Sequence, residues 1–245
     1  MTFVDRRHTQ TTDHYAVLDL ETVQMARRYA DHVFRLFRPY IGRRVFEVGS
    51  GIGTMSERLV DVADVVVGIE PNPACAARVR EAMARHDRFV LRACHLEECD
   101  VIELAAHRFD TVFCVNVLEH LADDVDALRT FREVIGAGGR VLVFVPALQA
   151  AYGPLDAELG HHRRYSKRSL AQAFAGAGLA LEQIRYTNPI GLLGWLYNAH
   201  IARSRAHSPT QIRLFETLVA PWALPLERVL PPPIGLSLMA VGRKR

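Results

Sequence analysis

Two sets of residues in this chain have the types and spacing for chemistry. The first is Glu47-Val48-Gly49-Ser50-Gly51-Ile52-Gly53, with a second acid, Glu70, about 20 residues farther on. An apolar run (Val45, Phe46, Val48) leads into the glycines, and another, over 65–69, ends at Glu70. Glycines let a backbone turn approach a ligand closely, and an acid after the second strand accepts hydrogen bonds from ribose hydroxyls. That is the chemistry of holding an adenosine-containing cofactor. The second set is Asp156, His161, Arg163, Arg164 and Tyr165, the densest group of titratable side chains in the chain. An imidazole with a pKa of about 7 suits proton transfer, and loops that carry such groups often carry function. Asp–Arg pairing that merely clamps the loop fits the same residues.

Both sets need a scaffold that brings loops to one place. Residues 16–40 have Val23, Ala26, Ala30, Val33, Phe34 and Phe37 near helical spacing, closed by Pro39 and Gly42, which predicts one or two amphipathic helices. Strand and helix then alternate. Strands are expected at 44–48, 65–69, 89–92, 111–115, 140–145 and 179–186. Helices are expected from Met55, from Pro73, over 124–135, and from Ser166 as N-cap to Ala175. Such alternation predicts an α/β fold, doubly wound, with a mostly parallel sheet. A seventh strand over 236–241 is expected to pair antiparallel with the sixth, and Ala137-Gly138-Gly139 to turn the chain into the fifth. Residues 187–235 read as two or three short apolar helices punctuated by proline. The expected organisation is 1–39 as N-terminal helices and lid, 40–186 as cofactor-binding core, 187–235 as helical cap insert, and 236–245 as the last strand of the core.

The 245 residues carry a net charge of +3, and 49% are hydrophobic. That supports one sizeable core in a single large domain. Lys167 and Lys244 are the only lysines, and no dense basic block tracks a phosphate backbone, so no nucleic-acid partner is expected. Cys75, Cys94, Cys99 and Cys114 form no C-x-x-C pair and read as free thiols of a reducing cytosol. Residues 1–15 are polar, and no apolar run approaches the roughly 20 residues that span a bilayer, so a cytoplasmic protein is expected. His161-His162 with Asp156 lacks the spacing of a helical metal site and no cysteine pair assists, so no metal is expected.

The glycine spacing discriminates between cofactors. Dinucleotide folds use G-x-G-x-x-G. Here Glu47-x-Gly49-x-Gly51-x-Gly53 resembles the first motif of class I S-adenosylmethionine (SAM) methyltransferases. The resemblance continues through 110–120, DTVFCVNVLEH, and 124–146, DVDALRTFREVIGAGGRVLVFVP, and covers roughly 40–186 plus the last strand. It implies SAM as cofactor. Gly49, Gly51 and Gly53 would turn under its methionine part, with Glu47 toward the amino group and Glu70 on the ribose hydroxyls. Cys94, His95 and Leu96 take the adenine-edge position, where many relatives have an aspartate that this chain lacks. Asn116 and Val117 would line the methionine and methyl side, and the pair Glu119-His120 would orient the loop.

Residues 152–165, YGPLDAELGHHRRY, resemble the segment after the fifth strand in a bacterial small-molecule subgroup of that superfamily. His161 is then the expected base, with Tyr165 orienting it or the substrate, and with Arg163 and Arg164 contacting the acceptor. His14, as a further catalytic group, and Tyr15, as a substrate contact, are expected to fold over the cofactor, since this fold commonly closes with its N-terminal segment.

The expected activity is methyl transfer from SAM to an oxygen or nitrogen of a small metabolite, natural product or peptide amine. The [DN]-P-P-[YF] motif of nucleic-acid amino-methylating enzymes is missing at 116–119. An NAD(P)-dependent oxidoreductase shares the strand–glycine–acid logic but fails on glycine spacing and on the absent Tyr-x-x-x-Lys pair. A binding module that has lost catalysis sits poorly with intact glycines and acids. An acceptor in a lipid or glycolipid would draw on Trp195, Tyr197 and Trp222 interleaved with Arg203, Arg205 and Arg213, a pattern that suits a membrane surface. A substrate cap or a homodimer surface is the plainer reading of that insert.

Overall fold

Seven strands build one sheet in this computed structural model, which describes residues 17–245. They are β1 (Arg44–Val48), β2 (Val65–Ile69), β3 (Phe89–Arg92), β4 (Phe109–Val115), β5 (Ile135–Pro146), β6 (Ala180–Thr187) and β7 (Ser237–Arg243). Their order across the sheet is β3-β2-β1-β4-β5-β7-β6. β1 to β5 run parallel, and β7 lies antiparallel between β5 and β6. β1 and β2 are buried along nearly their whole length, which is why they read as unbroken apolar runs. The strand order reverses beside β1, whose two neighbours are β2 and β4. Open α/β sheets bind ligands at such a switch point, beyond the carboxyl ends of the strands.

The helices start where local chemistry allows. The first is α1 (17–24), followed by α2 (Arg27–Phe37) and α3 (Ser56–Val60). α4 (Pro73–Met83) opens with proline at its first position, and the Asn72 side chain accepts from the amides of Ala74 and Cys75. Asp100 caps α5 (Val101–Ala106) and Asp123 caps α6 (Asp124–Val134). The short α7 (Pro154–Glu158) lies in the loop after β5, and Ser166 caps α8 (Lys167–Gly176) as expected. One core cluster packs Phe46, Val112, Phe131, Val143 and Phe174 together; the other packs α2 residues Val33, Leu36 and Phe37 against Val45, Phe113 and Phe144.

Element bounds differ from expectation in one instructive place. β4 and β5 both begin earlier, because Phe109 pairs with Ile135 across a register shift. The expected turn at Ala137-Gly138-Gly139 is this irregular stretch of β5, not a separate connection.

The segment between β6 and β7 contains α9 (Pro189–Leu196), α10 (Pro209–Leu214) and α11 (Ala220–Val229), with π-helical turns at Tyr197–Ile201 and Phe215–Val219. It is knit into the fold rather than laid over it. The Glu216 carboxylate accepts from the amides of Arg28 (2.8 Å) and Tyr29 (3.1 Å), and so caps α2. His32 Nε2 lies 2.9 Å from Glu227 Oε1, and the Asn188 amide donates to Glu227 Oε2 at 2.7 Å. Among the described residues no helix is long and apolar enough to cross a membrane.

Candidate active site

The glycine loop joins β1 to α3 over the switch point. Gly49, Gly51 and Gly53 have φ of +76°, +56° and +92°. These values lie where side chains are strained. At Gly49 space is also lacking: a Cβ would sit 2.3 Å from Val117 Cγ2, so the loop rests directly on the residues that follow β4. The amides of Gly49 and Ser50 both donate to the Ile69 carbonyl at 3.0 Å. Glu70 completes the tie, accepting from the Gly51 amide at 2.7 Å and the Asn72 amide at 2.9 Å. Burial raises its pKa, and these two amides oppose the shift. α1 lies over the loop, with Leu20 and Val17 packed beside Ile52 and Cys75.

Glu47 is buried beneath the loop, and its Oε2 accepts from Ser50 Oγ (2.9 Å) and Ser56 Oγ (2.6 Å). Loss of hydration pushes its pKa up to about 7, against the pull of the two hydroxyls. Its folded value thus lies above its unfolded one, so the folded protein binds more protons between the two. The contribution to stability is full below about pH 4.5 and is lost as pH rises through 7. Glu47→Gln is therefore expected to change the melting temperature little at pH 4.5. At pH 8 it should stabilise the protein by about 1–3 kcal/mol. Thermal unfolding without ligand at the two pH values checks this; an equal shift at both would refute it.

Beyond β3, His95 opens a helical turn over Leu96–Glu98, and its amide donates to Glu98 Oε2 at 2.8 Å. Leu96 is buried in the core. Cys94 Sγ lies 3.3 Å from Cys99 Sγ.

The other side of the crevice is formed by two loops locked together. After β4, Asn116 adopts φ +53°, a left-handed conformation that asparagine tolerates. A helical turn at Leu118–His120 follows. After β5 the chain makes α7 and returns, so that the Tyr165 amide donates to Pro146 O and the Leu148 amide to Tyr165 O. The His162 amide donates to Glu119 O at 2.8 Å, which sets His161 against Glu119.

His161 Nδ1 lies 2.7 Å from Asp156 Oδ1. Asp156 also accepts from Arg164 Nε at 2.8 Å and from the Gly153 amide at 2.9 Å. Burial, the largest single influence, would raise the Asp156 pKa, but His161 and Arg164 together hold it below the ordinary value. Glu119 is fully buried, and among the described residues neither of its carboxylate oxygens has a hydrogen-bond partner. Burial pushes its pKa up to about 8. His120 stands exposed at the rim, its ring edge-on to that of His161 at 4.7 Å.

Three expectations need correction. Arg164 does not face an acceptor: its guanidinium is buried against Asp156 and Ala147 O, and Trp195 covers it at 4.4 Å. Arg163 donates to Leu121 O (3.0 Å) and Ala122 O (2.7 Å) and pairs with Asp124, which ties the two loops to each other. Tyr165 does not orient His161, because its buried hydroxyl donates to Asp124 Oδ2 at 2.8 Å. These three side chains serve the loop rather than reach into the crevice. His14 and Tyr15 lie outside the described residues. Glu119 and His120 stand beside His161, a meeting that linear spacing did not predict. The available signal was an acid–histidine pair just past the carboxyl end of a central strand.

A methyltransferase-domain family model matches residues 22–184, well over half of the chain. The chain belongs to the class I SAM-dependent methyltransferases. A probable SAM-dependent methyltransferase of Mycolicibacterium smegmatis is 28% identical over 196 residues, 76% of this chain and 74% of that protein. The ubiquinone biosynthesis O-methyltransferase of Azorhizobium caulinodans is 30% identical over 117 residues, 47% of this chain and 45% of its own length. The match thus spans less than half of that relative.

Solved methyltransferases share the fold at lower identity. A Haloferax volcanii complex of a methyltransferase with its Trm112 activator contains a chain with a TM-score of 0.64 at 16% identity, matched over 94% of each chain. The N-methyltransferase NodS of Bradyrhizobium japonicum, bound to S-adenosylhomocysteine, gives 0.57 at 14% identity, over 89% of this chain and 86% of NodS. The crevice of this methyltransferase has features that suit SAM: three left-handed glycines on bare backbone and a carboxylate at the end of β2.

Proposed function

We propose that this methyltransferase moves the methyl group of SAM to an oxygen or nitrogen of a small metabolite, natural product or peptide amine. The observation that carries the reading is the continuity of the two sites. Val117 abuts Gly49, and two residues later Glu119 borders the Asp156–His161 pair. A cofactor in the glycine crevice would direct its methionine end toward Asn116 and Val117, with His161 on the acceptor side.

SAM supplies an electrophilic methyl whose leaving group is a neutral thioether, so no acid is needed. The protein's task is to hold and orient. The glycine turn would carry the methionine part, with Glu47 near the amino group. Glu70 would take the ribose hydroxyls with the lone pairs its two amides leave free. Cys94, His95 and Leu96 would border the adenine. Val17 and Leu20 of α1 support a lid role for the N-terminal segment. The acceptor lone pair forms a bond to the methyl carbon while the C–S pair stays on sulfur. Holding the nucleophile in line, out of water, accounts for much of the rate. The Asp156–His161 pair activates the acceptor.

Methyl-labelled SAM incubated with the protein and a metabolite extract is expected to label extractable small molecules; label only in protein or nucleic acid would overturn the reading. Glu70→Ala should weaken SAM by about 1.5–3 kcal/mol, the scale of a charge-assisted hydrogen bond. Calorimetry with SAM, and with NADH as a non-binding control, measures it; unchanged SAM affinity would remove Glu70 from the cofactor site.

One observation favours a second acceptor class. Leu193, Tyr197, Leu214, Leu218, Trp222 and Leu226 are each more than half exposed. An apolar surface of this kind suits an acceptor embedded in a lipid. Trp195, in contrast, faces inward and donates to Ala151 O at 2.9 Å. Flotation with anionic vesicles separates the two: the protein floats only under the lipid reading.

A further inference from the structure

Glu119, His120 and His161 form a cluster that in-line methyl transfer does not by itself require. One ligand-capable atom of each lies within 4.8 Å of the others. Two features of the cluster point to an occupant. Glu119 has a side chain only 1% exposed, and among the described residues both of its oxygens are without a hydrogen-bond partner. A carboxylate so placed is costly unless a positive or polar group completes it. His161 commits Nδ1 to Asp156 and directs Nε2 toward Glu119, 3.9 Å from Oε1. Histidines that bind metals are held in this way, with the second ring nitrogen donating to a carboxylate. Asp156 is in turn fixed by Arg164 and the Gly153 amide, and the stack on Trp195 holds Arg164.

We propose that Glu119, one ring nitrogen of His120 and His161 Nε2 bind a single divalent transition-metal ion, with its remaining positions open at the rim. Two imidazoles and one carboxylate suit zinc, manganese or iron(II) rather than calcium or magnesium, which prefer oxygen ligands. Ligand atoms about 2.0–2.2 Å from an ion stand roughly 3–3.5 Å apart, so small side-chain rotations close the cluster. The exposed His120 leaves a path for the ion and for a further ligand.

The role of the ion rests on the acceptor site proposed above. A hydroxyl oxygen of the acceptor would take an open position, and the ion would lower its pKa. The proton leaves to solvent, the oxygen pair forms the bond to the methyl carbon, and the C–S pair remains on sulfur. His161 then acts as a ligand, and the site prefers a hydroxyl acceptor to an amine.

The test uses the full chain, stripped with chelator and titrated with Mn²⁺, followed by calorimetry and by the loss of free-ion paramagnetic signal. One ion per chain is expected, with affinity in the micromolar range or tighter. Glu119→Gln and His120→Ala should each weaken binding more than tenfold, and Asp156→Asn by about 10–100-fold. His86→Ala, at an exposed histidine outside the cluster, should bind as the parent does. Because a variant could fail to fold, melting curves provide a second readout: Mn²⁺ should raise the parent's Tm with concentration and leave that of folded Glu119→Gln unchanged. No binding at millimolar Mn²⁺, or equal binding by the Glu119 and His120 variants, would overturn the site. Chelator-insensitive methyl transfer would overturn the role of the ion. Ion binding without any methyl transfer would support the site and count instead against the proposed function.

Discussion

Gly49→Val is expected to abolish SAM and S-adenosylhomocysteine binding in a protein that still folds, with calorimetry registering a loss of more than about 1,000-fold. Two costs coincide at this position. A β-branched residue at φ +76° is strained by about 1–3 kcal/mol. The new side chain also starts with its Cβ 2.3 Å from Val117 Cγ2, and Val117 packs against the core. The loop must therefore lift, and lifting breaks the bond from the Gly51 amide to Glu70. Gly138→Ala is the matched control. It has φ +77°, and its Cβ would meet only Arg243 Nη2 at 3.5 Å, away from the crevice. It should lose stability and retain cofactor affinity. If Gly49→Val bound S-adenosylhomocysteine within threefold of the parent, the crevice would not be the cofactor site.

The parts of this site that could be read from sequence are those built by neighbours in the chain. β1, the glycine turn and β2 with its terminal acid form one continuous segment, and each step has a local physical cause. Burial on both faces demands an apolar run, and left-handed turns demand glycine. The acceptor side is different in kind. Glu119 meets His161 because two loops from adjacent parallel strands are tied by the bond from the His162 amide to Glu119 O. No spacing rule links residues joined only through the sheet.

The same gap explains the arginines. Arg163 and Arg164 stand beside His161 in sequence, and a basic pair in a loop invites a substrate role. Within the loop Arg164 does take the Asp–Arg clamp that the residues suggested, through Asp156. Asp124 and the Leu121 and Ala122 carbonyls on Arg163, and the ring of Trp195 over Arg164, come from other parts of the chain. The insert shows the reverse case. Its apolar helices were legible, yet Glu216 at the amino end of α2 and Glu227 on His32 had no linear signature.

His161→Ala is expected to lower kcat by about 10²–10⁴-fold while SAM affinity stays within threefold. The asymmetry follows from the geometry. Among the described residues His161 bonds to Asp156 and Tyr152 and faces Glu119 and His120, none of which belongs to the glycine loop. Removing the ring leaves Asp156 bonded to Arg164 and the Gly153 amide. It also leaves the ties of Arg163 and of the His162 amide to the neighbouring loop, so the clamp between the loops survives. The stability loss should then be modest, about 1–3 kcal/mol. A merely structural histidine would behave differently, with activity falling in step with the folded fraction and recovering on cooling. The loss expected here persists at temperatures where circular dichroism reports a fully folded chain. Tyr165→Phe sharpens the comparison. It removes a buried bond to Asp124 without touching His161, so it should cost stability and leave kcat within a few-fold. Retention of full turnover by folded His161→Ala would take the residue out of the mechanism. Equal losses in both variants would reduce the whole loop to a scaffold.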